Sequence, residues 1–176
     1  MRASSHDVGR VTPRGEGIDR PCRLRRLDEV WAGSGYPRYF LTVCVQGRQR
    51  VLANEAVQQR LVAFLRGSPQ RYGWWPSRCV MMPDHLHLPA STSPNGASLG
   101  VWIKAFKAFV AQREFRWQKG FFDHVIRSDE SESEKWEYIH QNPVRARLVA
   151  NVEDWPFAEE LKWEPDNAAS GDAAYK

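Results

Sequence analysis

The run Trp74-Trp75-Pro76-Ser77-Arg78-Cys79-Val80-Met81-Met82-Pro83-Asp84-His85-Leu86-His87-Leu88 decides the fold. A strand region covers about 73–82, Pro83-Asp84 supplies turn chemistry, and a further short strand starts at His85. Strands joined this closely pair antiparallel, since a parallel pair needs a long crossover, so the hairpin argues against a doubly wound parallel sheet. Upstream, Tyr39-Phe40-Leu41-Thr42-Val43-Cys44-Val45-Gln46 is rich in β-branched and aromatic residues and ends at Gly47, which reads as a strand. Asn54 can cap a helix to about Arg66 with Val57, Leu61, Phe64 and Leu65 on one side, and Gly67, Ser68 and Pro69 stop it. Downstream of a polar loop, Ser91 to Ser98, the residues Leu99, Ile103, Phe106 and Val110 recur at helical spacing, with Lys104, Lys107 and Arg113 elsewhere on the cylinder. Phe121 to Ile126 reads as a strand, and Ser131 with Glu134 forms a capping box opening a helix that holds Tyr138 and ends near Pro143. The order β, α, β, β, α, β, α predicts an α+β fold: an antiparallel sheet with helices packed on it, in a single domain.

The chain has 176 residues, enough for one core and too few for a barrel of about 250 residues. No apolar run approaches the roughly 18 residues of a membrane-spanning helix, so no membrane role is expected. Three scattered cysteines and an N-terminus without a secretory apolar stretch suggest a reduced, cytoplasmic setting. Net charge is only +4, but residues 152–176 hold seven acids and two bases, so residues 1–151 carry +9. Residues 1–28 include seven arginines without apolar periodicity and read as a flexible basic arm. Residues 158–176 read as an acidic tail, with disorder expected beyond Trp163.

His85 and His87 alternate with Leu86 and Leu88, so on a strand both imidazoles project from one face, about 7 Å apart. Such a pair can share a metal ion or form an ordinary hydrogen-bonded pair; the spacing alone leaves both open. Tyr138 and Asn142 are four residues apart and share a face if their helix persists that far. A tyrosine hydroxyl can form covalent intermediates and an asparagine oxygen suits hard cations, although a helical tyrosine beside Trp136 and Ile139 is equally a packing residue.

Taken together, Val80-Met81-Met82-Pro83-Asp84-His85-Leu86-His87-Leu88, then Phe122-Asp123-His124-Val125-Ile126-Arg127, then Glu137-Tyr138-Ile139-His140-Gln141-Asn142-Pro143-Val144-Arg145-Ala146 resemble the REP-associated tyrosine transposases. These are single-tyrosine members of the HUH group, named for a His, hydrophobic, His motif. The resemblance runs from about Tyr39 to Trp155-Pro156-Phe157 and implies a ferredoxin-like HUH endonuclease domain over 29–157. It implies that His85, His87 and Asn142 hold a divalent metal, Mg²⁺ or Mn²⁺, and that Tyr138 is the nucleophile. It implies cleavage and strand transfer on single-stranded palindromic hairpin DNA through a 5′-phosphotyrosyl intermediate, by a monomer or a homodimer. A hairpin-binding regulator that has lost cleavage is the alternative. Lys104, Lys107, Arg127, Arg145 and Arg147 are the candidate DNA contacts, and His124 a support of the site. The tryptophans offer base-stacking surfaces, or simple packing in the case of Trp31, Trp74 and Trp75.

Two residues depart from the family pattern. Pro89 cannot donate to a β-ladder, so it should end the histidine strand or place it at an edge. Arg147 stands where Gly commonly follows Arg-Ala, in a turn expected to want positive φ.

Overall fold

Alternation along two strands sets the architecture of the chain, seen here in a computed structural model that describes residues 37–126 and 132–163. In β1 (Arg38–Cys44) and β4 (His85–Thr92), Leu41, Val43, Leu86 and Leu88 are fully buried on one face, and Leu41 lies opposite Leu88 and Val43 opposite Leu86. The intervening residues Thr42, His85 and His87 point to the other face by the period of two. Six antiparallel strands complete the sheet: β5 (Phe122–Val125), β1, β4, β3 (Arg78–Met81) and β6 (Ala158–Glu160) follow in that spatial order, while β2 (Trp74–Pro76) pairs with the far end of β4. The α+β reading is therefore correct, with one sheet and helices against it.

Pro89 does not end the strand, contrary to expectation; β4 continues to Thr92 in the middle of the sheet. The register explains why. Pro76 faces Ala90 and Val80 faces His87, so three residues, Ser77 to Cys79, stand against two, Leu88 and Pro89, and one extra residue is accommodated. A bulge interrupts the ladder at that point, so the missing proline N–H leaves no partner wanting, and the Pro89 carbonyl still accepts from Ser77 N at 3.1 Å.

The helices α1 (Glu55–Arg66) and α3 (Leu99–Ala111) supply the core for the leucine face. Asn54 caps α1 through its side chain, accepting from Val57 N at 3.0 Å, and Val57, Leu61, Phe64 and Leu65 are buried. Gly67 ends α1, but Ser68-Pro69 restart a short helix, α2 (Ser68–Tyr72), because proline fits the first turn of a helix. Ser68 is fully buried, accepts from Trp102 Nε1 at 3.0 Å and donates to the Phe64 carbonyl at 3.0 Å, while the Trp102 ring stacks on Trp74 with centroids 4.6 Å apart. Thus Trp74 is core.

The acidic tail begins later than expected. Residues 158–160 form the edge strand β6, Leu161 is buried, and Trp163 Nε1 donates to the Pro76 carbonyl at 2.9 Å. The acids of this segment mislead a composition reading because Glu159 and Glu160 lie on a strand whose backbone pairs with β3. The basic arm, Arg127, Ser131 of the capping box and the rest of the tail lie outside the described residues.

On the histidine face stand α4 (Glu132–His140) and α5 (Asn142–Arg145), separated at Gln141. Pro143 has no N–H to continue α4, and it opens α5 instead. The chain leaves α5 through Arg147 at φ 56°, with Leu148 N bonded to the Pro143 carbonyl and Arg147 N to the Val144 carbonyl, both at 2.9 Å. This is a Schellman ending whose left-handed position holds arginine rather than glycine. The expectation of a positive φ is correct. Arg147→Gly should therefore stabilise the fold by about 0.5–1 kcal/mol, because relief of the left-handed strain exceeds the extra entropy lost by glycine. A rise of a few degrees in the thermal midpoint is expected, and a fall would show that the Arg147 side chain contributes stability of its own.

Candidate active site

The hairpin turn fixes where the first histidine sits. Val45 N donates to the Asp84 carbonyl and Leu52 N to the Pro83 carbonyl, each at 2.9 Å, and Met82 N donates to the His85 carbonyl at 2.8 Å. With its backbone held, Asp84 directs Oδ1 to His85 Nδ1 at 2.7 Å and Oδ2 to Arg48 Nε at 3.3 Å. Burial alone would raise the Asp84 pKa; the hydrogen bond from His85 and the positive charges of His85 and Arg48 outweigh it, so the carboxyl lies below its usual value. An ionised Asp84 accepts the Nδ1–H of His85 as a hydrogen bond, which leaves Nε2 as the ring nitrogen directed away from the carboxylate.

The second histidine is held from both sides. His87 Nδ1 is 3.0 Å from Thr42 Oγ1, its cross-strand partner on β1, and His87 Nε2 is 3.0 Å from Asn142 Nδ2. The two imidazole rings are perpendicular, with centroids 4.9 Å apart. Burial pushes the His87 pKa down to about 4, helped by the charges of His85 and Arg48, so this ring is neutral near pH 7.

His85, His87 and Asn142 therefore come together, across 55 residues of sequence between His87 and Asn142. Among the described residues no three His, Cys, Asp or Glu side chains cluster as a metal site. Here the third donor is an amide, whose oxygen and nitrogen exchange places by rotation about its last bond. Two imidazoles with their Nδ1 atoms tied back and one amide oxygen form a donor set that fits a divalent cation with mixed nitrogen and oxygen preference.

Tyr138 is placed differently. Its side chain is 65% exposed, and its hydroxyl has no hydrogen-bond partner among the described residues. The Arg145 guanidinium lies 3.7 Å from the centre of its ring and also donates to the Tyr138 carbonyl. Because the helix breaks at Gln141, Tyr138 and Asn142 do not share one continuous helical face. His124 on β5 accepts from Lys135 Nζ of α4 at 2.8 Å, which ties the helix of Tyr138 to the sheet.

The basic residues divide between layers. Arg145 and Arg147 are both exposed, and Arg145 lies against Tyr138. Lys104 is exposed on α3, which packs on the opposite face of the sheet from the histidines. Lys107, also on α3, is half-buried; its ammonium donates to the Gln118 carbonyl at 2.9 Å and to the Gly120 carbonyl. Burial lowers its pKa, and its visible task is holding the 118–120 loop. Sequence reasoning missed Asp84, Thr42 and Arg48. An acid adjoining a motif histidine is a readable signal for Asp84, whereas Thr42 emerges only from the register of β1 against β4.

No protein-family model matches the chain. The REP-associated tyrosine transposase of Escherichia coli K12 is 28% identical over 127 residues, covering 68% of this chain and 74% of that protein. A candidate REP-associated tyrosine transposase of Haemophilus influenzae Rd is 26% identical over 137 residues, covering 68% of this chain and 77% of its own. The chain is a relative of the REP-associated tyrosine transposases. A solved structure of such a transposase bound to a REP hairpin shares the fold, with a TM-score of 0.57 and 20% identity over 70% of this chain and 76% of that one.

For this relative of the REP-associated transposases, the neutral His87 generates a pH test. The folded pKa, about 4, lies below the ordinary 6.5, so above about pH 6.5 the group has no effect on stability. As pH falls from there towards 4 the unfolded chain takes up the proton first, and stability declines. The thermal midpoint of the wild type should drop relative to His87→Gln between pH 7 and pH 4.5. Parallel curves would show that His87 is not held neutral by the fold.

Proposed function

We propose that this protein is a metal-dependent single-tyrosine DNA endonuclease and strand transferase that acts on palindromic hairpin DNA. The observation that carries the reading is the convergence of His85, His87 and Asn142 on one point of the sheet, with Tyr138 on the adjoining helix. The kinship with REP-associated tyrosine transposases, one of them seen on a REP hairpin, supports the substrate class.

His85, through Nε2, His87, through Nε2, and the Asn142 oxygen would hold Mg²⁺ or Mn²⁺, which supplies Lewis acidity toward a phosphate oxygen. Asp84 and Thr42 orient the two imidazoles, and the carboxylate, which only accepts, fixes the tautomer of His85. Tyr138 attacks the scissile phosphorus: a bond forms from its oxygen to phosphorus, the bond to the 3′ oxygen breaks, the phenol loses its proton and the leaving 3′ oxygen gains one. The phosphotyrosine keeps the phosphodiester's energy, so a second 3′-OH can reverse the exchange on another strand. Arg145 and Arg147 bind backbone phosphates beside the tyrosine, and Arg127 belongs to the same proposed surface. Exposed Lys104 serves at most a DNA segment wrapping to the other layer.

Incubation with labelled hairpin oligonucleotides and Mn²⁺ should give a covalent protein–DNA adduct that disappears with EDTA and in Tyr138→Phe. Hairpin binding with no adduct across several hairpins would favour a regulator without cleavage, and cleavage surviving Tyr138→Phe would point to an activated-water hydrolase. His87→Ala should abolish cleavage while largely sparing hairpin affinity; equal loss of both marks a structural histidine. Asp84→Ala should weaken Mn²⁺ binding by roughly 10- to 100-fold in a direct titration, the usual effect of losing a partner that orients a ligand. Unchanged Mn²⁺ affinity would remove Asp84 from the site.

A further inference from the structure

We propose that the cleft between α4 and the β3–β6 edge receives one unpaired DNA base that carries an exocyclic amine, an inference that rests on the single-stranded DNA reading above. The cleft has a volume of about 360 Å³ and is lined by Arg78, Trp136, His140, Ala158, Glu159 and Glu160.

Its walls are flat. The Arg78 guanidinium lies 5.2 Å from the Trp136 ring centre, and the His140 ring stacks on Trp136 at 5.3 Å and 20°. Planar groups of this kind are the surfaces on which unpaired bases stack. Trp74, Trp102, Trp117, Trp155 and Trp163 each commit their indole N–H to a protein acceptor, whereas those of Trp75 and Trp136 make no such bond among the described residues; the Trp75 nitrogen is buried, and Trp136 lines the cleft.

The charge selects a base over a phosphate. Two carboxylates face one guanidinium, a balance that repels a phosphate and accepts N–H donors. Glu159 Oε1 already accepts from Gln58 Nε2 at 2.7 Å, and Glu160 Oε1 meets Arg78 Nε at 3.5 Å in an exposed pair that offers little resistance to exchange. Glu160 is thus the acceptor available to an incoming amine. Cytosine, adenine and guanine carry such an amine and thymine does not.

The position gives the cleft a use. Trp136 and His140 stand two residues before and after Tyr138, which at about 100° per residue puts them on the side of α4 away from the tyrosine. A base held there fastens the strand to the very helix that carries the proposed nucleophile.

The test measures binding of the full chain, by fluorescence anisotropy, to a blunt hairpin and to the same hairpin with short 5′ or 3′ extensions. A dC extension on one side should raise affinity about tenfold, the order of one base–aromatic stack. Replacing that dC by dT or by an abasic residue should remove most of the gain with the protein untouched. Trp136→Ala should lose the gain and keep blunt-hairpin affinity, Trp136→Phe should keep part of it, and Glu160→Ala should make dC and dT equal. A gain that survives Trp136→Ala, or that an abasic residue reproduces, overturns the cleft alone. No binding of the wild type to any hairpin overturns the hairpin reading itself and the cleft with it.

Discussion

Leu41 opposite Leu88, Thr42 opposite His87, Val43 opposite Leu86 and Cys44 opposite His85: this register between β1 and β4 is the constraint on which everything else in the chain rests. Because side chains alternate with a period of two, slipping one strand by a single residue would turn its leucines to the polar face and its histidine or threonine into the core. Burying those leucine and valine side chains is worth roughly 1.5–3 kcal/mol each, so the register is strongly enforced. The same packing that builds the core thus aims both imidazoles at the opposite face and hands His87 its partner Thr42. Stability and site geometry are one decision here, made in two strands.

The polar face is then completed by a chain break. A continuous helix from Glu132 through Arg145 would carry Asn142 on the same stripe as Tyr138, but Pro143 prevents it, and the short second helix aims Asn142 inward at His87. Tyr138 stays exposed beneath Arg145. The two elements are held by different means: α5 through buried Pro143 and the Asn142 bond, α4 through Lys135 on His124 and Trp136 against Arg78. Strain at Arg147 sits where α5 ends, and a glycine would remove it, so the exposed arginine is retained at some expense in stability.

Much of this was legible from residues alone, for reasons that differ by element. The α1 cap, the buried stripe of α3 and the hairpin turn are local, and local chemistry specifies them. The histidine pair was legible because strand alternation is also local. Pro89 misled because the bulge that accommodates it belongs to the neighbouring strand, and no reading of β4 alone reveals an extra residue on β3. The acidic segment misled for the converse reason. Composition describes side chains, while β6 is held by backbone bonds and by Leu161 and Trp163 beyond it. Lys107 looked like a phosphate contact because a basic residue on an amphipathic helix usually faces solvent, yet two loop carbonyls claim its ammonium.

Those corrections change where charge can act. Among the described residues, Lys107 is engaged by loop carbonyls and Lys104 stands on the far layer, so neither adds a free cation to the side of the histidines. On that side Arg48 is occupied with Asp84, Arg78 with Glu160 and Trp136, and Lys135 with His124, and Arg145 is the described cation that lies against the Tyr138 ring. A phosphate drawn to Arg145 must compete with the Tyr138 ring and carbonyl for the guanidinium, and in doing so it is brought against the tyrosine side chain itself. In the proposed reaction that competition does the steering: the contact that covers the tyrosine is the contact a phosphate displaces, so the hydroxyl meets the strand where a phosphate has already been bound.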